Sequence, residues 1–149
     1  MKKLLRQIAI AAVVCVGVSS AAFADDDRKA CGLRTLHGRY IFAASGFTVV
    51  VVNGAAQSQP KAIVEVLDFD GDGTVTVIAA TRSVNGVPVR IAPSVWTYTV
   101  DADCSGAIAF DGPTFDLFVK PGGDGLWMIQ TNPGSVFQGA ATRVSRQIR

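Results

Sequence analysis

A succession of turn-forming clusters divides most of this chain into short pieces, and that spacing limits what it can fold into. Asn53-Gly54, residues 68–73, Asn85-Gly86, residues 101–106, Asp111-Gly112-Pro113, residues 121–125 and Asn132-Pro133-Gly134 all combine Gly with Asp, Asn or Pro. Between them lie runs rich in Val, Ile, Thr, Phe and Tyr that alternate at period two. Asn-Gly is the strongest short hairpin signal, because both residues tolerate positive φ. After residue 24 no apolar period of 3.6 is sustained over three turns. The pattern predicts an all-β domain of about 8–10 antiparallel strands. A meander of such hairpins closes naturally into an up-and-down β-barrel, which removes exposed edges.

The stretch 94–106 shows the pattern at its clearest. Trp96, Tyr98 and Val100 fall on one face, Val95, Thr97 and Thr99 on the other, and Asp101-Ala102-Asp103-Cys104 breaks the strand. Tyr40, Phe42 and Ala44 share a face in the first strand, predicted over 40–47. Residues 55–60 read as a loop, since Pro60 cannot continue a central strand. Alternation over 62–67 favours Val64 and Val66 inward and Glu65 outward. Over 74–81 it places Val75, Val77 and Ala79 on one face. Phe115, Leu117 and Val119 alternate with polar residues apart from Phe118. Residues 126–131 are apolar on both faces, which predicts a strand covered on both sides, with Trp127 among the inner aromatics.

The beginning of the chain reads as an export signal, residues 1–24. Lys2, Lys3 and Arg6 form a positive start, 8–18 an apolar segment, and Ala22-Phe23-Ala24 a small-residue cleavage site. Cys15 lacks the small-residue context of a lipid-anchored signal. Cleavage predicts one β-barrel domain over 25–149, with no membrane anchor, in the periplasm or secreted. Of the chain's 14 basic and 12 acidic residues, three basic ones leave with the signal, so the remainder is slightly acidic. With no basic stripe interleaved with aromatics, nucleic acid is a poor partner. Arg143, Arg146 and Arg149 read as a solvated tail. Export also implies an oxidising compartment, where the remaining pair, Cys31 and Cys104, is most simply a disulfide.

Few residues suggest chemistry. Asp68, Asp70 and Asp72 with Gly73 match the start of a calcium loop, but Ala79 stands where a bidentate Glu is required. An Asp- and Gly-rich hairpin turn accounts for the same letters, so no metal is predicted, and no cofactor. His37 is the only histidine and has no partner pattern around it. There is no nucleophile elbow and no phosphate loop, so no catalytic residue is assigned. Glu65 is the only glutamate. Pointing inward, it would acquire a raised pKa and act as an acid or ligand anchor. Phe42, Trp96 and Tyr98 are the candidate ligand-lining residues.

Gly38-Arg39-Tyr40 resembles the G-x-W opening of the lipocalin/calycin superfamily, with Tyr in place of Trp. The resemblance implies that Arg143, on the last strand, lies over Tyr40 as a cation–π lid. More of the chain resembles a group of small exported bacterial proteins with a G-x-Y-x-F opening (38–42), an F-D-G-x-G turn (69–73) and a Y-T-V-x-x-D-C-[ST]-G turn (98–106). That resemblance implies a calycin-like barrel and brings no settled activity.

The expected function is therefore that of an exported barrel that binds a small apolar ligand or serves a structural role. The companion observation for the ligand reading is an inner cavity of at least about 300 Å³. One alternative is an enzyme resembling the allene oxide cyclase and dirigent barrels, which requires Glu65 to face inward. Another is a surface adhesin or structural protein, whose sign would be an exposed apolar strand face.

Overall fold

The computed structural model describes residues 30–145. The export signal and Arg146 and Arg149 lie outside the described residues. A 3₁₀ turn, Leu33–Thr35, precedes nine strands: β1 Gly38–Val52, β2 Ala55–Phe69, β3 Thr74–Val84, β4 Val87–Ile91, β5 Ser94–Val100, β6 Ser105–Ala109, β7 Thr114–Val119, β8 Gly125–Gln130 and β9 Ser135–Ser145. Successive strands pair antiparallel except β4 and β5, and β3 pairs onward to β5. The β1–β9 ladder closes the circuit, with Phe42 opposite Ala141. The result is an eight-stranded up-and-down barrel. The ninth strand, β4, folds back on the far half of β3, from Ala80↔Ile91 to Val84↔Val87.

Local chemistry accounts for the hairpins. Asn53 and Gly54 have φ of 52° and 79°, and Asn85 and Gly86 have 49° and 80°. Two consecutive positive φ values are what a two-residue hairpin matched to strand twist needs. At the β2–β3 turn, Asp70 Oδ1 accepts from the amides of Asp72 (2.7 Å) and Thr74 (2.9 Å), an Asx turn that replaces the missing ladder bonds.

Three expectations about the strands are corrected. Residues 55–60 are not a loop: β2 runs unbroken through Pro60, which sits opposite Phe47. The β3 ladder begins only at Lys61↔Val84, so Pro60 occupies an edge, where a missing N–H is tolerated. Ala79 faces out, because the β2–β3 register shifts between Val66↔Ala79 and Leu67↔Val77. Ile78 is the extra residue of this β-bulge, and the inward parity passes from Val75 and Val77 to Ala80. Strand β8 is covered on one side only: Leu126 and Met128 are buried, whereas Trp127 and Ile129 are exposed.

The two ends of the barrel differ. At one end the 3₁₀ turn and the fully buried Leu36 form a plug. Phe69 packs edge-on between Tyr40 and Tyr98, with ring centroids 5.2 and 5.0 Å away. The Cys31–Cys104 disulfide, spanning 73 positions, ties the plug to the β5–β6 turn. Below the plug, Leu67, Val75, Leu117, Leu126 and Met128 fill the middle of the barrel. The other end is hollow.

Candidate functional site

The hollow end holds a cavity of about 230 Å³. Its wall is aromatic because the inward positions of four strands and one loop deliver rings there. Phe115 of β7 lies 6.5 Å from Phe42 of β1, 6.4 Å from Phe137 of β9 and 5.6 Å from Phe110, each edge-on. Trp96 of β5 meets Phe110 at 5.7 Å and gives its indole N–H to Ser94 Oγ at 2.6 Å. Ile63, Val77 and Ile91 complete the apolar lining.

Glu65 lies on this wall, which corrects the outward orientation expected of it. It is 9 % exposed, opposite Phe42 on β1 and Ala80 on β3. The inward set of β2 is Ile63, Glu65, Leu67 and Phe69, while Val64 is more than half exposed and Val66 is not among the buried core. Val64 and Val66 mimic an inner face by composition, but the bulkier set ending in Phe69 wins the interior. Burial raises the Glu65 pKa to about 7, and the charge of Lys61 offsets only part of that. Among the described residues, no hydrogen bond or ion pair engages its carboxyl.

Two cations stand above it at the rim. Lys61 shares the parity of Glu65 on β2, four residues nearer the opening. Its ammonium donates to Gln130 Oε1 at 3.0 Å and sits 4.1 Å from the centroid of Phe137. Desolvation, then the neighbouring Arg82 charge, lower its pKa. Arg82 reaches the lining because the bulge at Ile78 changes the parity of β3. Gln130 is itself braced through Asn132, whose side chain binds the Thr114 amide and the Gly112 carbonyl.

Of the residues singled out from sequence, Phe42 and Trp96 lie on the cavity, and Tyr98 does not. Its hydroxyl is 3.0 Å from the carbonyl oxygens of both Leu33 and Leu36, beneath the plug, and burial pushes its pKa to about 12. Tyr40 and Arg143 meet at the same plugged end. The guanidinium carbon lies 5.3 Å from the ring centroid, and Nε donates to the Tyr40 hydroxyl at 2.9 Å. Arg143 Nη2 also donates to Thr35 O at 3.0 Å, and the Tyr40 hydroxyl donates to Gly123 O. Gly123 has φ 64° and a Cβ there would fall on the Thr35 carbonyl oxygen, so only glycine lets this loop seat on the plug. Asp68 pairs with Arg39 at 3.5 Å and Asp70 is spent on its turn. No group of three His, Cys, Asp or Glu side chains is placed to hold a metal among the described residues.

Trp127 is not an inner aromatic. It stands on the outer wall, 53 % exposed, with the Lys120 ammonium 5.4 Å from its ring. Register aligns it in one row with Phe118, Ala140, Ala43 and Val64 across five strands, so an exposed apolar strand face is present. The residues missed from sequence are Lys61, Arg82 and Phe137. Phe137 was readable from its parity with Arg143, whereas Lys61 shares the parity of Glu65, which the alternation placed outward. Arg82 was not readable, since its direction depends on the bulge.

Comparison of the chain with protein-family models, curated proteins and solved structures returns no match.

Proposed function

We propose that this chain is an exported, calycin-like barrel that binds a small, mainly apolar ligand in its hollow end. The observation that carries the reading is the aromatic cavity formed by Phe42, Trp96, Phe110, Phe115 and Phe137. Its volume, about 230 Å³, is smaller than the expected companion cavity of about 300 Å³, so the reading holds only for a ligand of small size. An apolar cavity of about 150 Å³ already takes benzene, so a molecule of one substituted ring is the right scale. The export half of the proposal is supported by the pattern of residues 1–24 and by the Cys31–Cys104 disulfide. The calycin likeness is supported by the closed meander and by Arg143 over Tyr40.

Trp96 reports on the cavity wall. In a Trp127→Phe background, titration with a panel of small aromatics and short fatty acids should shift its emission saturably for at least one member. Flat titrations across the panel would overturn the ligand reading. N-terminal sequencing of the exported protein tests the other half, with Asp25 the expected first residue.

The inward Glu65 favours a second reading, that of a barrel catalyst resembling allene oxide cyclase or dirigent proteins. In it, the aromatic wall shapes a reactive guest and Glu65 moves the proton. Glu65→Gln should then abolish turnover while leaving binding in place.

A further inference from the structure

Resting on the ligand reading above, we propose that Glu65 is the anchor for one polar substituent of the guest. The guest is then a small neutral aromatic alcohol of the phenol class, whose hydroxyl donates to the Glu65 carboxyl. Glu65 is nine-tenths buried, faces the cavity, and has no protein hydrogen-bond partner among the described residues. No side-chain oxygen or nitrogen is sealed in the protein without a partner among the described residues, so the carboxyl opens onto the cavity, where a donor from a guest would take the place of solvent. The other polar groups of the cavity are different: Arg82 and Asp111 are exposed to solvent. Lys61 already gives its ammonium to Gln130 and to the Phe137 ring, and Ser94 already accepts from Trp96.

The sign of the guest's charge follows from the placement of charges. Lys61 and Arg82 at the rim oppose a guest cation, and Glu65 at the floor opposes a guest anion. A neutral hydroxyl satisfies the carboxyl in either protonation state, because both forms accept. The charged groups that face Glu65 around the cavity are Lys61 on β2, Arg82 on β3 and Asp111 in the β6–β7 loop. The other strands on the cavity, β1, β4, β5, β7 and β9, present Phe42, Ile91, Ser94, Trp96, Phe115 and Phe137, none of them charged.

Matched guests test this by calorimetry on the folded chain: 4-ethylphenol against ethylbenzene, with 4-ethylbenzylamine and 4-ethylbenzoate as charged arms. The phenol should bind about 10-fold or more tighter than ethylbenzene, the scale of a hydrogen bond to a charged acceptor. Its affinity should rise between pH 6 and pH 8 as the carboxyl ionises, while that of ethylbenzene should fall. Glu65→Leu should keep ethylbenzene and erase the preference for the phenol. Glu65→Gln, whose amide oxygen still accepts, should retain part of the preference and lose its pH dependence. Equal affinity for phenol and ethylbenzene, or a preference that survives Glu65→Leu, overturns the proposal while leaving the ligand reading intact. Tighter binding of the amine or the benzoate overturns it in favour of a charged guest. Absence of binding by all four, with thermal melts showing folded protein, removes the ligand reading itself.

Discussion

Glu65 carries an energetic signature that can be measured without any guest. Burial shifts its pKa from the ordinary 4.5 to about 7. Between those two values the unfolded chain has released a proton that the folded chain still holds. Stability therefore falls as pH rises through this window and levels off above it, by about 3 kcal/mol in all. Denaturant melts of the native chain and of Glu65→Gln at pH 5 and pH 8 check the sign. The gap in favour of the Gln variant should widen by about 2–3 kcal/mol at the higher pH. Arg143 gives the contrasting case at the plugged end. Its guanidinium serves both the Tyr40 hydroxyl and the Thr35 carbonyl. Arg143→Ala should cost about 1–3 kcal/mol in the same melts and leave the cavity's binding unchanged.

At the scale of elements, the plug and the barrel wall obey different rules. The plug is one short turn with little surface of its own, so its position depends on ties: the disulfide, the Tyr98 hydroxyl and Arg143. Replacing Cys31 and Cys104 by Ser should lower stability by about 4 kcal/mol, the entropy of closing a loop of this length. Chemical denaturation under non-reducing conditions measures it. The wall, in contrast, was largely legible in advance, because hairpin turns and period-two faces are local. Asn53-Gly54 and Asn85-Gly86 announce their turns in two letters each. Trp96, Tyr98 and Val100 announce an inner face. What escaped local reading was set by partners distant in sequence. Pro60 is admissible in β2 only because β3 stops short of it, and the inward parity of β3 changes at Ile78 because β2 lacks a matching residue. Val64 and Val66 look more apolar than the Glu65 face, yet Leu67 and Phe69 decide which side is inside. The candidate site suffered most, since Glu65 and Arg82 both depend on such parity. Trp127 was misassigned because apolar composition on both faces does not say whether anything covers the outer one.

For the whole molecule, the barrel separates a stapled, solid end from a hollow one, and the two tryptophans sample different surroundings. Trp96 lines the cavity and Trp127 stands in solvent. Acrylamide should therefore quench Trp127 strongly and Trp96 weakly, measured on Trp96→Phe and Trp127→Phe proteins in turn. Equal quenching would contradict the placement of these rings. The β1–β9 ladder has a further consequence, in time rather than space. Strand β1 emerges early from the ribosome, yet Phe42 must wait for Ala141 before its second edge is paired. Until β9 arrives, residues 39–48 of β1 lie along an open strand edge, the arrangement that invites pairing with another chain. Closure between such distant segments is also slow compared with hairpin formation. This barrel is thus most vulnerable before its last strand pairs, and a chaperone that shields that edge would act in that interval.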